Sequence, residues 1–228
     1  FFLKKGFSLG RAYETQKSSG YVLPVLLLAL FIIGAVTGVY AASTEGPGSK
    51  HAPVLISLVA ALLIGALAQK SRMCFAGSIR DVILMKNFDL LSIIGALFAV
   101  MLIFNLATGN FHLSFSGQPI AHSQHLWNIL GMYVVGFAAV LAGGCPLRQL
   151  ILAGQGSSDS AVTFLGMLLG AAFAHNFGLV GAAAKAATET EPAVAGGPAA
   201  AGKIAVIVCI IVLFVIAGTN LRRKKTAK

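Results

Sequence analysis

Six stretches of the chain are apolar over nearly their whole length: Tyr21 to Tyr40, Pro53 to Gln69, Leu91 to Thr108, Asn128 to Ala142, Ala161 to Gly181 and Ile204 to Asn220. None alternates with a polar face as a helix on a soluble core would. A helix needs about 20 such residues to cross the hydrocarbon of a bilayer, and in lipid it satisfies its own backbone hydrogen bonds. The pattern therefore predicts an all-α polytopic membrane protein with about six transmembrane helices. The fourth stretch, Asn128 to Ala142, has only 15 residues. It predicts a chain that turns into an irregular segment before reaching the far interface.

Two of these stretches end in unusual strings. The second runs into Ser71-Arg72-Met73-Cys74-Phe75-Ala76-Gly77-Ser78-Ile79-Arg80-Asp81, and the fourth into Gly143-Gly144-Cys145-Pro146-Leu147-Arg148-Gln149. A thiol and a fixed positive charge are costly where lipid begins, so both strings point to a pathway or a reactive site. Met73 to Met85, and Pro146 to about Ala153, are too short to span and predict short or re-entrant helices, the first capped by Ser71. In the second string, Gly143 and Gly144 allow close backbone approach, Pro146 suits the first helical position, and Cys145 takes the N-cap. Free N–H groups and the helix dipole there favour an anion or a thiolate, and Arg148 adds permanent charge one turn on.

The candidate substrate-binding residues are thus Cys145, Arg148, Gly144 and Gln149, joined by Cys74 and Arg72 of the weaker first string. The bland alternative is that the glycines serve helix packing and the cysteine is inert filler. Arg80 and Asp81 read equally as an ion pair closing a helix end. His175-Asn176, deep in the fifth apolar stretch, is a further candidate, since intramembrane polar residues are functional or else satisfied by a neighbouring helix. Gly34-x-x-x-Gly38 and Gly166-x-x-x-Gly170 are helix-packing motifs. The succession of span, cysteine string, short helix and span occurs twice, with Cys74 and Cys145 71 residues apart. A parallel internal repeat about an axis along the membrane normal is expected.

Composition narrows the class. With 57% hydrophobic residues, 11% charged residues and a mean hydropathy of +0.86, the chain has too little polar surface to wrap a soluble core. A net charge of +10 would suit nucleic acid, but its placement excludes that partner. With both termini cytoplasmic, 14 of the 17 basic residues fall on inside segments, leaving only Lys50, Lys185 and Lys203 outside. The positive-inside rule then gives a multi-pass protein of an inner (plasma) membrane, with the lipid bilayer itself as a partner. Within a single integral domain over residues 1–228, residues 1–19 form an interfacial segment, 183–203 a flexible outer loop and 221–228 a basic cytoplasmic tail. Cys209, in a uniformly apolar run, reads as a small buried hydrophobe. His112, His122 and His125 lack supporting ligands and read as exposed loop residues rather than a metal site, and no cofactor is implied. Gly154 to Asp159 lacks the Lys-Ser/Thr ending of a phosphate loop and reads as a flexible turn. Trp127 falls where an interfacial aromatic belongs. The first residue is Phe rather than Met, and further residues upstream are expected.

The strings Ser71 to Asp81, Gly117 to His122 (G-Q-P-I-A-H), Gly143 to Gly154 (G-G-C-P-L-R-Q-L-I-L-A-G) and Ala174 to Leu179 (A-H-N-F-G-L) closely resemble the YeeE/YedE family of membrane proteins. Within it they are most similar to the YedE branch, which is assigned to selenium transport. Relatives take up thiosulfate through a pathway lined by cysteines near short helices. The resemblance implies that Cys74 and Cys145 are the pathway cysteines here. Such relatives are longer, and Phe2 to Arg11 resembles the end of an earlier motif.

The reading that follows is a permease for a small inorganic sulfur or selenium anion, passed between thiols by S–H to sulfur contacts without a covalent step. A membrane sulfur- or selenium-transferase using the same cysteines, or a docking platform for a soluble sulfur-carrier protein, remain as alternatives. The 71-residue separation and the lack of a C-x-x-C pair count against the enzyme.

Overall fold

The computed structural model describes residues 20–37, 52–114, 122–182 and 196–226, with side chains to residue 219 in the last segment. They form eight helices: α1 Val22–Thr37, α2 Val54–Lys70, α3 Phe75–Met85, α4 Asp89–Ala107, α5 His125–Ala142, α6 Pro146–Gly154, α7 Ser158–Asn176 and α8 Ala200–Thr226. The other pairing among the described residues is one antiparallel bridge between Ala182 and Gly197. The protein is all-α and polytopic. Four stretches, Val54–Met85, Asp89–Ala107, His125–Gly154 and Ala200–Thr219, are long and apolar enough to cross a membrane. A helix falls on each of the six predicted runs. Of the other two, α1 is apolar but shorter, with 16 residues, and α7 is diluted by Ser158, Asp159, Ser160, Thr163, His175 and Asn176.

The boundaries follow capping chemistry rather than hydropathy. The N-cap of α7 is Ser157, whose Oγ accepts the N–H of Ser160, so the helix starts ahead of the apolar run. At its far end Gly178 turns left-handed (φ 63°) and Leu179 N donates to Ala174 O at 2.8 Å. A left-handed glycine of this kind closes a helix, which stops α7 at Asn176. His175 and Asn176 therefore lie in its exposed last turn, not deep in a span as the sequence led us to expect. α5 starts at His125, placing that histidine on a helix instead of a loop.

The core is small and sits where α5 crosses α8. Phe137, Leu141 and Ala217 are buried there with Leu213 against them, and Phe137 meets Phe214 edge-on at 5.0 Å and Tyr133 at 5.9 Å. Edge-to-face aromatic contacts of this geometry add to plain area burial. Ala217 is wholly buried, so no room exists for a longer side chain. Ala217→Leu is expected to destabilise the α5–α8 crossing by about 1–3 kcal/mol, read as a lower thermal midpoint in detergent. Elsewhere α3 packs on α4 and α5, and α6 on α7, α1 and α2. Most other large apolar side chains are exposed, as on a surface that meets lipid. Cys209 belongs to that surface: it is exposed, not buried. A helix that is apolar all round has no sequence signal for which face packs.

A second cluster joins the starts of α5 and α8. Gln124 Nε2 donates to Gly196 O at 2.7 Å, and the Lys203 ammonium stands 5.5 Å over the Trp127 ring. Gly197 (φ 101°) has no space for a Cβ beside Gln124. Residues 196–203, assigned by composition to a flexible loop, thus hold a bridge and the first turn of α8. The expectations for residues 1–19, Gly38 and 183–195 lie outside the described residues, as do most of the string Gly117 to His122 and the side chains of the basic tail.

Candidate functional site

The two cysteine strings fold into two breaks of the same kind. After α2, Ser71 closes the helix by donating its N–H to Leu67 O, and its Oγ donates to Ala68 O. Ser71 is thus the C-cap of α2 and not the cap of the next helix. Arg72 then takes a left-handed conformation (φ 53°), which turns the backbone into extended Cys74. Such a conformation is uncommon outside glycine, and non-glycine cases concentrate at sites that need an abrupt change of direction. Cys74 is the N-cap of α3, its Sγ accepting the N–H of Gly77 at 3.2 Å.

The second break is made by glycine and proline. Gly143 adopts φ 79° at the end of α5, and Gly144 N reaches back to Ala139 O at 3.0 Å. Cys145 is then the N-cap of α6 with Pro146 in the first turn, as the sequence predicts. Its side chain makes no cap bond, so the N–H groups of Leu147 and Arg148 receive no acceptor from it. Gln149 is buried (4% exposed) and its Nε2 donates to Ala142 O at 2.8 Å, tying α6 to the end of α5. That bond supplies an acceptor's donor where the helix carbonyls run out.

The breaks meet. Cys145 N donates to Cys74 Sγ at 3.4 Å, across 71 residues of sequence. One sulfur thus accepts N–H groups from the starts of two short helices, and both cysteines are buried, at 7% and 5% exposure, with free thiols. Two helix N-termini converging on one point create a positive field from backbone dipoles alone. Arg148 lies in the first turn of α6, and its Nη1 is buried with no hydrogen-bond partner. On α2, one turn before Cys74, Gln69 Oε1 is buried and equally unpartnered.

Small residues make this approach possible. A Cβ on Gly77 would lie 3.1 Å from Cys74 Cβ and 3.2 Å from its Sγ. On Gly144 it would lie 3.3 Å from both Arg148 Cγ and Gln149 Nε2. Gly144 therefore shapes the site by letting two side chains pass over it. Among the other expected residues, Arg72 is exposed beside the turn, while Arg80 forms an ion pair with Asp81 (2.9 Å). His175 and Asn176 lie exposed in the last turn of α7. Gln69 and Gly77 escaped the sequence reading. Gln69 had one legible signal, an uncharged polar residue closing an apolar run, and Gly77 had its spacing of three from a capping cysteine.

Among the described residues, no three His, Cys, Asp or Glu side chains come together in a metal-holding group. The candidate site offers soft sulfur, backbone N–H groups and a guanidinium, donors of the kind that a small anion needs.

Residues 70–228 match the family model described as Sulphur transport. Over 113 residues the chain is 30% identical to the thiosulfate transporter TsuA of Spirochaeta thermophila, a match covering 48% of this chain and 33% of that protein. The matched region is thus about a third of the length of this curated relative. No solved structure matches the chain. The Sulphur transport model takes in well over half of the sequence, including both cysteine turns and all of α3 to α8, and the chain accordingly belongs to the YeeE/YedE family of sulphur-transport membrane proteins.

Proposed function

We propose that this chain carries the binding centre of a permease for a small sulfur-containing anion, with thiosulfate as the first substrate to test. One observation carries the reading: Cys74 Sγ accepts N–H groups from the starts of both α3 and α6, with Arg148 in the first turn of α6. A sulfur anion is held there by backbone dipoles and the guanidinium, and its terminal sulfur exchanges S–H contacts between Cys74 and Cys145 without a covalent step. Arg72, exposed at the mouth of the turn, attracts the anion. Gly144 and Gln149 keep the start of α6 in register. The thiosulfate transporter name of the relative supports the substrate class.

The protein is set in an inner (plasma) membrane with both termini cytoplasmic, following the charge bias of its loops. Selenium anions enter by the same chemistry, because selenium is as soft as sulfur. The basic stretch Arg222 to Lys225, within the helical span of α8, offers a docking place for an acidic soluble sulfur carrier.

The test is uptake by the complete protein in liposomes. Cys145→Ala is expected to abolish thiosulfate uptake with the protein still folded and inserted, because it removes one of the two sulfurs while leaving Pro146 to start α6. Wild-type uptake by this variant would overturn the role of Cys145. A stable persulfide on Cys74 or Cys145 of the working protein would instead favour the transferase reading, which the approach of the two cysteines keeps open.

A further inference from the structure

Two polar atoms on the helix ends that flank the breaks are buried without a hydrogen-bond partner: Gln69 Oε1 and Arg148 Nη1. Buried polar groups are paired as a rule, because an unpaired one forfeits its hydration for nothing. Such atoms are the ones a bound ligand or a water would satisfy.

Their placement is shared. Gln69 lies in the last turn of α2, and its own carbonyl accepts Arg72 N at 3.2 Å, inside the first break. Arg148 lies three residues beyond Cys145, in the first turn of the helix that follows the second break. The helices that carry them, α2 and α6, pack against each other, and the Cys145 N to Cys74 Sγ bond joins the two breaks. The two orphaned groups thus belong to the helix ends on either side of the joined breaks, Gln69 to the last turn of α2 and Arg148 to the first turn of α6, and both are hydrogen-bonding groups that sulfur satisfies poorly.

Their chemistry fits oxygen. A guanidinium donates charge-assisted bonds to oxyanions. A carboxamide carries donor and acceptor in one outline and exchanges them by a half-turn of its terminal torsion, so Gln69 can present its NH2 where Oε1 now lies. We infer that Gln69 and Arg148 bind the oxygen end of a sulfur oxyanion whose terminal sulfur faces Cys74 and Cys145, and that Gln69 sets the preference for oxyanions over oxygen-free anions. The inference rests on the permease reading and narrows its substrate class: thiosulfate carries both ends, whereas hydrosulfide carries only the sulfur end. A site built to hydrogen-bond a ligand group discriminates strongly against analogues that lack it.

The experiment compares thiosulfate with hydrosulfide on the complete protein, by calorimetric binding in detergent and by uptake into liposomes. Gln69→Leu is expected to lower the thiosulfate-to-hydrosulfide preference at least ~10-fold in both measurements. Gln69→Glu, which keeps the size and adds a negative charge, is expected to lose thiosulfate binding and serves where the leucine variant does not fold. Unchanged preference in these variants would mean that water satisfies the two groups and would overturn the inference. So would a wild-type protein that binds no thiosulfate. Binding that depends on Gln69 in a protein that moves no thiosulfate would uphold the oxyanion site and overturn the permease reading instead.

Discussion

Cys74→Ser is expected to leave thermal stability at the wild-type level while cutting uptake of the sulfur anion by about 100-fold, equivalent to about 2.7 kcal/mol in the barrier. The substitution separates two roles that one atom holds. Cys74 Sγ caps α3 through Gly77 N and also receives Cys145 N. Serine is among the best N-cap residues, so its hydroxyl takes over the first role without loss. What it cannot supply is the soft contact to the substrate's terminal sulfur, because oxygen is smaller and far less polarisable than sulfur. Cys74→Ala is the control: it removes cap and sulfur together and is expected to lose about 1 kcal/mol of stability as well as uptake. Initial uptake rates set beside detergent melting curves decide the matter. A serine variant that transports normally would show that Cys74 is a cap and nothing more.

The second large effect concerns Arg148. Arg148→Gln is expected to slow uptake about 10- to 100-fold, the range lost when a charge-assisted bond worth about 1.5–3 kcal/mol is removed. It is also expected to leave the melting midpoint unchanged or higher. The opposite signs have one cause. A buried guanidinium nitrogen without a partner is a liability for folding, and the smaller neutral amide relieves it. Arg148→Lys retains the charge but not the planar fork, and intermediate uptake is expected. Were Arg148→Gln to melt lower while transporting normally, the residue would be structural.

Much of the scaffold was legible because each of its parts is local. The six apolar runs read as helices, since a chain in lipid must satisfy its backbone within the segment. The short helices α3 and α6 read from the length left after each string, and the N-cap at Cys145 from the neighbouring Gly143, Gly144 and Pro146. Errors came where two local signals competed. Ser71 is a good cap by type, yet Arg72 in a left-handed turn hands the new helix to Cys74. Gly178 ends α7 before the apolar run is over, which moves His175 to an exposed helix end.

The sequence by itself determined the class of molecule, its helices, their two breaks and the family they mark, because hydropathy over about 20 residues and capping over four are short-range physics. Only the tertiary structure decided that Cys145 N reaches Cys74 Sγ across 71 residues, that Gln69 Oε1 and Arg148 Nη1 are buried without partners, and that Cys209 faces outward. Those facts depend on which faces of all-apolar helices pack together, and a helix that is hydrophobic on every side carries no periodic signal of that choice.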